Sequence, residues 1–351
     1  MISELMGYGA VAAKVKAMYA KRLTRADFDR IAAMRRVPEV VAFLKVHPGW
    51  RGAFDGTFDE TRRGPLEAGL RRYLMSEYTR LLHHIGKQDR FIVDDRVLRT
   101  DMEQIMIFLR HARAGQPNEY KPELSEVLAR HSRIRYDLLS QAGTYAGMLD
   151  AVKNTRYYGA LARLPVDETG FPDYMSVEML MRGHYYRALM NMVRKRYRGD
   201  TVKLLREAVG SQADMINLTI IMRVRRFFPE QLDTVIPMLL PVHYRLTPAF
   251  VHKLYTAKTD EAAEALLRAS SYGKLFAEHQ LAHIEDYYYQ FMYDFNRRIL
   301  SSGLPTVYTP SAYLNLRDVE LKTLTAAIEC VRYGIQPAQA PAYMFGGYAA
   351  N

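Results

Sequence analysis

The chain has 351 residues, of which 49% are hydrophobic and 25% charged, a composition that is ordinary for a globular protein. Because one hydrophobic core rarely grows beyond about 250–300 residues, this length predicts two or three substructures. The one cysteine, Cys330, excludes an intramolecular disulfide and a cysteine-based zinc cluster, which fits a reducing compartment.

The net charge of +11 is unevenly distributed along the chain. Residues 1–112 hold 20 basic and 14 acidic side chains, and residues 113–228 hold 19 and 12. Residues 229–351 hold 10 and 12. Such an asymmetry indicates either an anionic partner for the first two thirds or simply a solvated basic surface.

No segment has the roughly 20 consecutive apolar residues that a membrane helix needs. The most apolar candidate, residues 235–244, is short and contains Pro237 and Pro241. At the N-terminus, lysines lie within and after the apolar part, in the wrong order for a secretory signal. We therefore expect a soluble, cytosolic protein.

In chain order, apolar residues recur at three- and four-residue spacing in five long segments. These segments are 34–48, 67–85, 177–197, 259–276 and 278–300. Alternating strand patterns are absent from the sequence, and clusters rich in glycine and proline, at 164–174 and 301–313, separate the helices. The sequence predicts an all-α fold.

Three of the predicted helical segments share one pattern: an acid, a polar residue three positions later, and apolar residues at offsets one, four and eight. The segments are DMEQIMIFLR (101–110), DMINLTIIMR (214–223) and ELKTLTAAIE (320–329). The acid and polar positions are Asp101 and Gln104, Asp214 and Asn217, and Glu320 and Thr323. The apolar offsets lie on one helical stripe, so each segment should pack along it.

An aromatic residue recurs upstream of each acid, at Trp50, Tyr157 and Tyr272. The ordered recurrence predicts three divergent copies of one multi-helix bundle, because the period is too long for a two-helix solenoid repeat. The predicted boundaries are repeat 1 at 1–112, repeat 2 at 113–228, repeat 3 at 229–335, and a flexible tail at 336–351 that is rich in Pro, Gly and Ala.

The acid and the polar residue of each copy are expected to be structural. Apolar residues surround Asp214 and Asn217 on nearly all sides of their helix, so both should be buried. Because an unsatisfied buried polar group costs about 1–3 kcal/mol, they should bond loop backbone or a basic residue of a neighbouring helix. Direct contact with a partner protein is the alternative.

No catalytic, cofactor-binding or metal-binding residue is predicted. His279 and His283 have a chelating i, i+4 spacing, but Gln280 stands where the zinc-protease motif has its glutamate. The start GYGAVAAK lacks the ending of a P-loop and follows no strand. We therefore expect neither a metal, nor a nucleotide, nor another small-molecule substrate.

Basic clusters at 194–198 and 223–226 are the candidate interface residues: Arg194, Lys195, Arg196, Arg223, Arg225 and Arg226. Interleaved aromatic residues such as Tyr197 and Phe227 make nucleic-acid binding one interpretation, although no nucleic-acid-binding motif accompanies them. Acidic surfaces on proteins and anionic lipid headgroups are the other interpretation.

The triplicated pattern resembles the C-subunit family of prokaryotic V-type (A-type) ATPases, whose eukaryotic counterpart is the d subunit of the vacuolar ATPase. The opening segment 7–24 is similar to the first helix of that family at Tyr8, Lys14, Lys16, Ala17, Met18, Leu23 and Thr24. The resemblance covers roughly residues 7–335. Two departures lie in the third copy, at Thr323 in place of an amide and at Glu329 where the other copies have Arg110 and Arg223.

The resemblance implies a non-catalytic protein. The architecture that the resemblance implies is a socket made of three helical bundles around a pseudo-threefold axis. The socket sits on the cytoplasmic end of the membrane rotor ring and receives the central stalk, so the stalk and the ring are the implied partners and no nucleic acid is expected. The implied location is the cytoplasmic face of the membrane, and the implied role is to couple ATP turnover to H⁺ or Na⁺ translocation. A helical nucleic-acid-binding protein is the alternative.

Overall fold

The structure is a computed structural model that describes residues 2–56, 59–82, 84–85, 91–122, 124–228, 239–279 and 283–340. Within these ranges the regular structure is helical, apart from one isolated antiparallel bridge between Val166 and Pro172. The prediction of an all-α chain is confirmed. The arrangement of three repeats around an axis stays a prediction. Residues 235–238 of the apolar segment 235–244 and most of the C-terminal tail lie outside the described residues.

Sixteen α-helices are found among the described residues. They are α1 Ile2–Tyr19, α2 Arg25–Ala32, α3 Val37–Val46, α4 Arg63–Leu82, α5 Phe91–Arg113, α6 Glu126–His131, α7 Tyr136–Leu139, α8 Tyr145–Ala151, α9 Tyr158–Leu161, α10 Tyr174–Arg196, α11 Gly199–Phe227, α12 Pro248–Tyr255, α13 Asp260–Ala269, α14 Gly273–Glu278, α15 Ile284–Ser301 and α16 Thr309–Arg332. Two 3₁₀ turns lie at Arg51–Phe54 and Pro117–Glu119.

Local sequence explains where several helices begin. Thr24 and Asp27 form a capping box at the start of α2, each side chain accepting from the backbone N–H of the other. Thr247 caps α12 through the N–H of Phe250, and Pro248 follows it at a position where its missing N–H is not needed. These caps satisfy donors that the first helical turn would otherwise leave unpaired.

The chain forms two compact units. The first combines Met1–Asp89 with Ala265–Asn351, and the second is Arg90–Glu264. The two ends of the chain therefore fold together in one unit, and the second unit is a continuous insertion between them.

Helix α16 is the centre of the first unit. It packs against α15 and also against α1, α2, α3 and α4 from the other end of the chain. Most of its side chains are buried, including both apolar and polar residues. A helix that is enclosed on nearly all sides must find partners for its polar groups within the fold.

Gly49, in the same unit, lies where the backbone passes very close to another segment. A Cβ atom at this position would be 2.0 Å from the carbonyl oxygen of Lys21. Only glycine fits such an approach, so the loop before Trp50 is held against the segment that connects α1 and α2.

In the second unit, α10 packs between α5 and α11, and α5 also contacts α6. Its apolar core comes from α5, α8 and α10 together with the connecting segments. The core includes Phe108, Leu109, Tyr120, Met148, Val152, Leu161, Val177 and Met181. The three long helices hold the shorter elements and their loops in place.

Candidate functional site

The six residues of the repeated pattern lie on three long helices, α5, α11 and α16. All six are buried, and none is more than 4% exposed. Acids and amides that are removed from water need hydrogen-bond partners, and each of the three acids has at least three of them.

Asp214 and Asn217 on α11 bond to the backbone of the segment 240–246. Asp214 Oδ1 accepts the N–H of Tyr244 at 3.1 Å, and Oδ2 accepts those of Arg245 at 2.7 Å and Leu246 at 3.2 Å. Asn217 forms two hydrogen bonds with the backbone of Leu240. Its Nδ2 donates to the Leu240 carbonyl oxygen at 3.0 Å, and its Oδ1 accepts from the Leu240 N–H at 2.7 Å. The two side chains thus hold an irregular segment against the helix.

Asp101 on α5 instead accepts hydrogen bonds from three hydroxyl groups. Its Oδ1 accepts from Ser132 Oγ at 2.6 Å and from the Tyr136 hydroxyl at 2.8 Å, and its Oδ2 accepts from the Tyr157 hydroxyl at 2.9 Å. Burial raises the pKa of Asp101, and the three hydroxyl donors oppose that rise. One turn further along, Gln104 accepts from the Tyr120 hydroxyl at 2.9 Å. This acid ties α5 to two segments that follow it.

Glu320 on α16 bonds to the other end of the chain. Its Oε1 accepts the N–H of Leu23 at 3.0 Å, Trp50 Nε1 at 2.8 Å and Arg317 Nη1 at 2.6 Å. Thr323 makes no such connection within the described residues, because its hydroxyl donates to the carbonyl oxygen of Val319 in its own helix. In this copy the threonine therefore does not replace the loop contact that Asn217 makes in α11.

Arg317 extends this network to a second acid. Its Nε donates to Glu77 Oε2 at 2.9 Å and its Nη2 to the carbonyl oxygen of Gly49 at 3.0 Å, and the guanidinium lies 4.3 Å from the ring centroid of Trp50. The side chain is 2% exposed. Burial acts to lower the pKa of Arg317, but the carboxylates of Glu320 and Glu77 outweigh burial and raise it, so the cation persists.

Two of the three repeated acids accept a hydrogen bond from one of the aromatic residues that recur upstream of the acids in the sequence. Asp101 accepts from Tyr157, and Glu320 accepts from Trp50. In each pair the acid and the aromatic residue come from different predicted repeats, so these bonds cross the boundaries that the sequence suggests. For Tyr272, the corresponding residue of the third copy, the structure shows a ring contact with Phe291.

Sequence reasoning did not identify Arg317 or Glu77 as members of the network. A signal for Arg317 exists in the sequence, since an arginine lies three residues before Glu320, a spacing that favours an ion pair on one helix face. Glu77 carried no comparable signal, because it is 240 residues away from Arg317 along the chain.

The candidate basic residues fall into two groups at the ends of α10 and α11. Arg194, Lys195 and Arg196 are exposed at the end of α10, where basic side chains favourably oppose the helix dipole. Lys195 and Arg196 also line a cavity of the second unit.

At the end of α11, Arg223 and Arg226 are exposed, but the Arg225 side chain is only 7% exposed. Arg225 donates to the carbonyl oxygens of Tyr255 at 3.0 Å and Thr259 at 3.2 Å. The Arg225 guanidinium is therefore bonded to the end of α12 and to the segment that follows it. The run of arginines in the sequence does not reveal these contacts, and an interface role for Arg225 stays a prediction.

Membrane spans and metal clusters are both absent from the part of the chain that the structure describes. None of its helices is long and apolar enough to cross a membrane. Within the same residues, no three His, Cys, Asp or Glu side chains are grouped so that they could bind a metal ion. His279 lies 3.6 Å from Asp294, and residues 280–282 of the HQLAH motif are outside the described ranges.

The fold and its buried acids define a helical protein whose long helices are tied to distant segments of the chain by carboxylates. Residues 11–343 match the family model described as ATP synthase (C/AC39) subunit, and the chain belongs to that family. The resemblance inferred from the repeated pattern is confirmed.

Two relatives share one name, the C subunit of A-type ATP synthase. The chain is 23% identical to the protein of that name from Methanosarcina acetivorans over 245 residues, which is 69% of this chain and 65% of the relative. It is also 23% identical to the one from Methanosarcina barkeri over 264 residues, which is 74% of this chain and 70% of that relative. The first match therefore spans slightly less than two thirds of the relative's length.

Proposed function

We propose that this protein is a non-catalytic part of the rotor of an A-type (V-type) ATPase, where it joins the central stalk to the membrane ring. The observation that carries the proposal is the family match, which extends from residue 11 to residue 343. In this role the protein transmits torque, so that ATP turnover is coupled to H⁺ or Na⁺ translocation at the cytoplasmic face of the membrane.

The buried networks support a mechanical role. Glu320 and Arg317 connect α16 to Leu23, Gly49 and Glu77, so the two ends of the chain are joined by charged bonds in a dry environment. Hydrogen bonds to charged groups contribute about 1.5–3 kcal/mol each, more than neutral ones. A protein under torque needs such links, because it must not unfold between its two attachment points.

In the proposed role, the three predicted repeats form the three bundles of the socket around its pseudo-threefold axis. Segments 1–112, 113–228 and 229–335 would each contribute one bundle, with Asp101, Asp214 and Glu320 holding the connections between helices. The exposed basic residues Arg223 and Arg226 are candidates to contact acidic surfaces of the stalk or the ring.

The direct test is the behaviour of the assembled ATPase when this protein is missing. We expect the soluble head to keep hydrolysing ATP while ATP-driven ion pumping in vesicles is lost, and added protein to restore pumping. Recovery of stalk and ring proteins with the tagged chain supports the proposal. Recovery of RNA alone, or pumping that continues without this protein, would overturn it.

Paired variants test the basic interface. Arg223→Gln with Arg226→Gln removes two exposed charges at the end of α11, and Lys203→Gln with Arg206→Gln removes two exposed charges near its start. We expect the first pair to slow assembly and make it less sensitive to salt, because steering by exposed charges is screened by ions. The second pair is the control, and an equal effect of both pairs would reject the assigned interface.

A further inference from the structure

A cavity of about 420 Å³ lies in the second unit, next to the Asp101 network. It is lined by residues of α5 and α10 and by two shorter segments, 131–133 and 155–157. Its volume is within the range of about 300–1,000 Å³ that is typical of pockets for small ligands. The volume therefore suffices for a small organic or inorganic ligand.

Four basic side chains converge on this cavity from three elements: Arg133, Arg156, Lys195 and Arg196. All four residues are exposed, and none of these side chains forms a hydrogen bond or ion pair with another residue in the described part of the chain. By contrast, the neighbouring Arg194 does not line the cavity and donates to Asn191 Oδ1 at 3.0 Å. Cations that line one cavity repel one another, and an anion bound between them offsets that repulsion.

The two acids that line the cavity offset only half of this charge. Asp101 and Asp94 are the carboxylates of its lining, against four cations. Both oxygens of Asp101 are occupied by the hydroxyls of Ser132, Tyr136 and Tyr157. The cavity therefore keeps a positive excess that is available to a ligand.

Asp101 also positions the cations. Ser132, which donates to it, is adjacent in sequence to Arg133, and Tyr157, which also donates to it, is adjacent to Arg156. One buried carboxylate on a rigid helix thus holds the two short segments that present arginines to the cavity. Groups that are fixed in this way bind a ligand with a smaller loss of conformational entropy.

We infer that this cavity binds a phosphate group, with Arg133, Arg156, Lys195 and Arg196 as its ligands. Arginine guanidinium groups match the geometry of phosphate oxygens, and lysine adds a point charge. Val97 and Met192 provide an apolar part of the lining, next to which a non-polar portion of the ligand fits. Both free phosphate compounds and phospholipid headgroups carry this chemistry. The inference does not depend on the proposed role in the rotor.

The test is isothermal titration of the full chain with inorganic pyrophosphate at low salt. We expect Arg156→Gln and Lys195→Gln each to weaken binding roughly tenfold, because each removes a charged hydrogen bond to the phosphate. The matched controls are Lys153→Gln and Arg194→Gln, which remove exposed charges next to these positions but outside the cavity. The controls should change the affinity by less than about twofold.

Vesicles identify the source of the phosphate. Co-sedimentation is compared for pure phosphatidylcholine and for vesicles in which about one fifth of the lipid is phosphatidic acid. Pyrophosphate binding that depends on Arg156 supports a free phosphate compound, and vesicle binding that depends on Arg156 without pyrophosphate binding supports a headgroup. If neither probe binds, or if the control variants lose as much binding as the cavity variants, the inference is wrong. Equal melting temperatures of all variants exclude unfolding as the cause.

Discussion

Replacing Arg317 by methionine is the sharpest test of the buried network in the first unit. Methionine has a similar length and fills part of the same volume, but it carries no charge and donates no hydrogen bond. The change leaves Glu77 and Glu320 in place, with exposed fractions of 5% and 1%. It also leaves the carbonyl oxygen of Gly49 without the bond from Nη2.

The expected loss follows from the partners that remain. Glu320 keeps the donors of Leu23 and Trp50, whereas Glu77 keeps the Tyr313 hydroxyl at 3.0 Å. Removing one member of a buried ion network costs about 3–5 kcal/mol, because a buried charge is left without compensation. We expect a decrease of that size in the free energy of unfolding of the first unit.

The single tryptophan of the chain makes the assay specific, because Trp50 is buried next to the Arg317 guanidinium. Its fluorescence during urea titration reports the unfolding of this unit rather than of the whole chain. Arg80→Met is the control, since Arg80 lies 3.7 Å from the same Glu77 but its side chain is 51% exposed. An exposed pair contributes about 1 kcal/mol at most, so this variant should unfold near the wild-type urea concentration.

A loss of stability in Arg317→Met that is no larger than the loss in Arg80→Met would refute the reasoning, because the buried carboxylates of Glu77 and Glu320 would then cost nothing without their shared cation.

Two further predictions concern close contacts of single residues. Asn217→Leu removes both hydrogen bonds to Leu240 and leaves the buried N–H and carbonyl group of Leu240 unpaired, so the free energy of unfolding should fall by about 2–4 kcal/mol. Asn191→Leu, at an exposed position, is the control. An unchanged melting temperature of Asn217→Leu, with intact binding to the stalk, would contradict the structural role. Gly49→Ala should cost about 3 kcal/mol or more in urea titration, because its Cβ would overlap a carbonyl oxygen. Gly143→Ala, which has open space around its Cβ, should be nearly neutral, and equal midpoints of the two glycine variants would show that the backbone can move apart.

The sequence by itself predicted the helical class and the family of the protein. Apolar spacing is a local property that every helix displays along its own length, so the all-α fold was accessible without any contact information. The burial of Asp214 and Asn217 was accessible for the same reason, since apolar neighbours surround both on one helix. The order of the three acid-led segments indicated the family that the match across 11–343 establishes.

The tertiary structure alone decided which groups these acids hold. Glu320 bonds to Leu23, 297 residues away, and Arg317 bonds to Glu77, 240 residues away, and nothing in the local pattern distinguishes these partners from others. It also separated Arg225, which binds the end of α12, from the exposed Arg223 and Arg226 beside it. Periodicity reports which face of a helix is buried. The identity of a hydrogen-bond partner depends on how distant segments meet, and only the folded chain determines that.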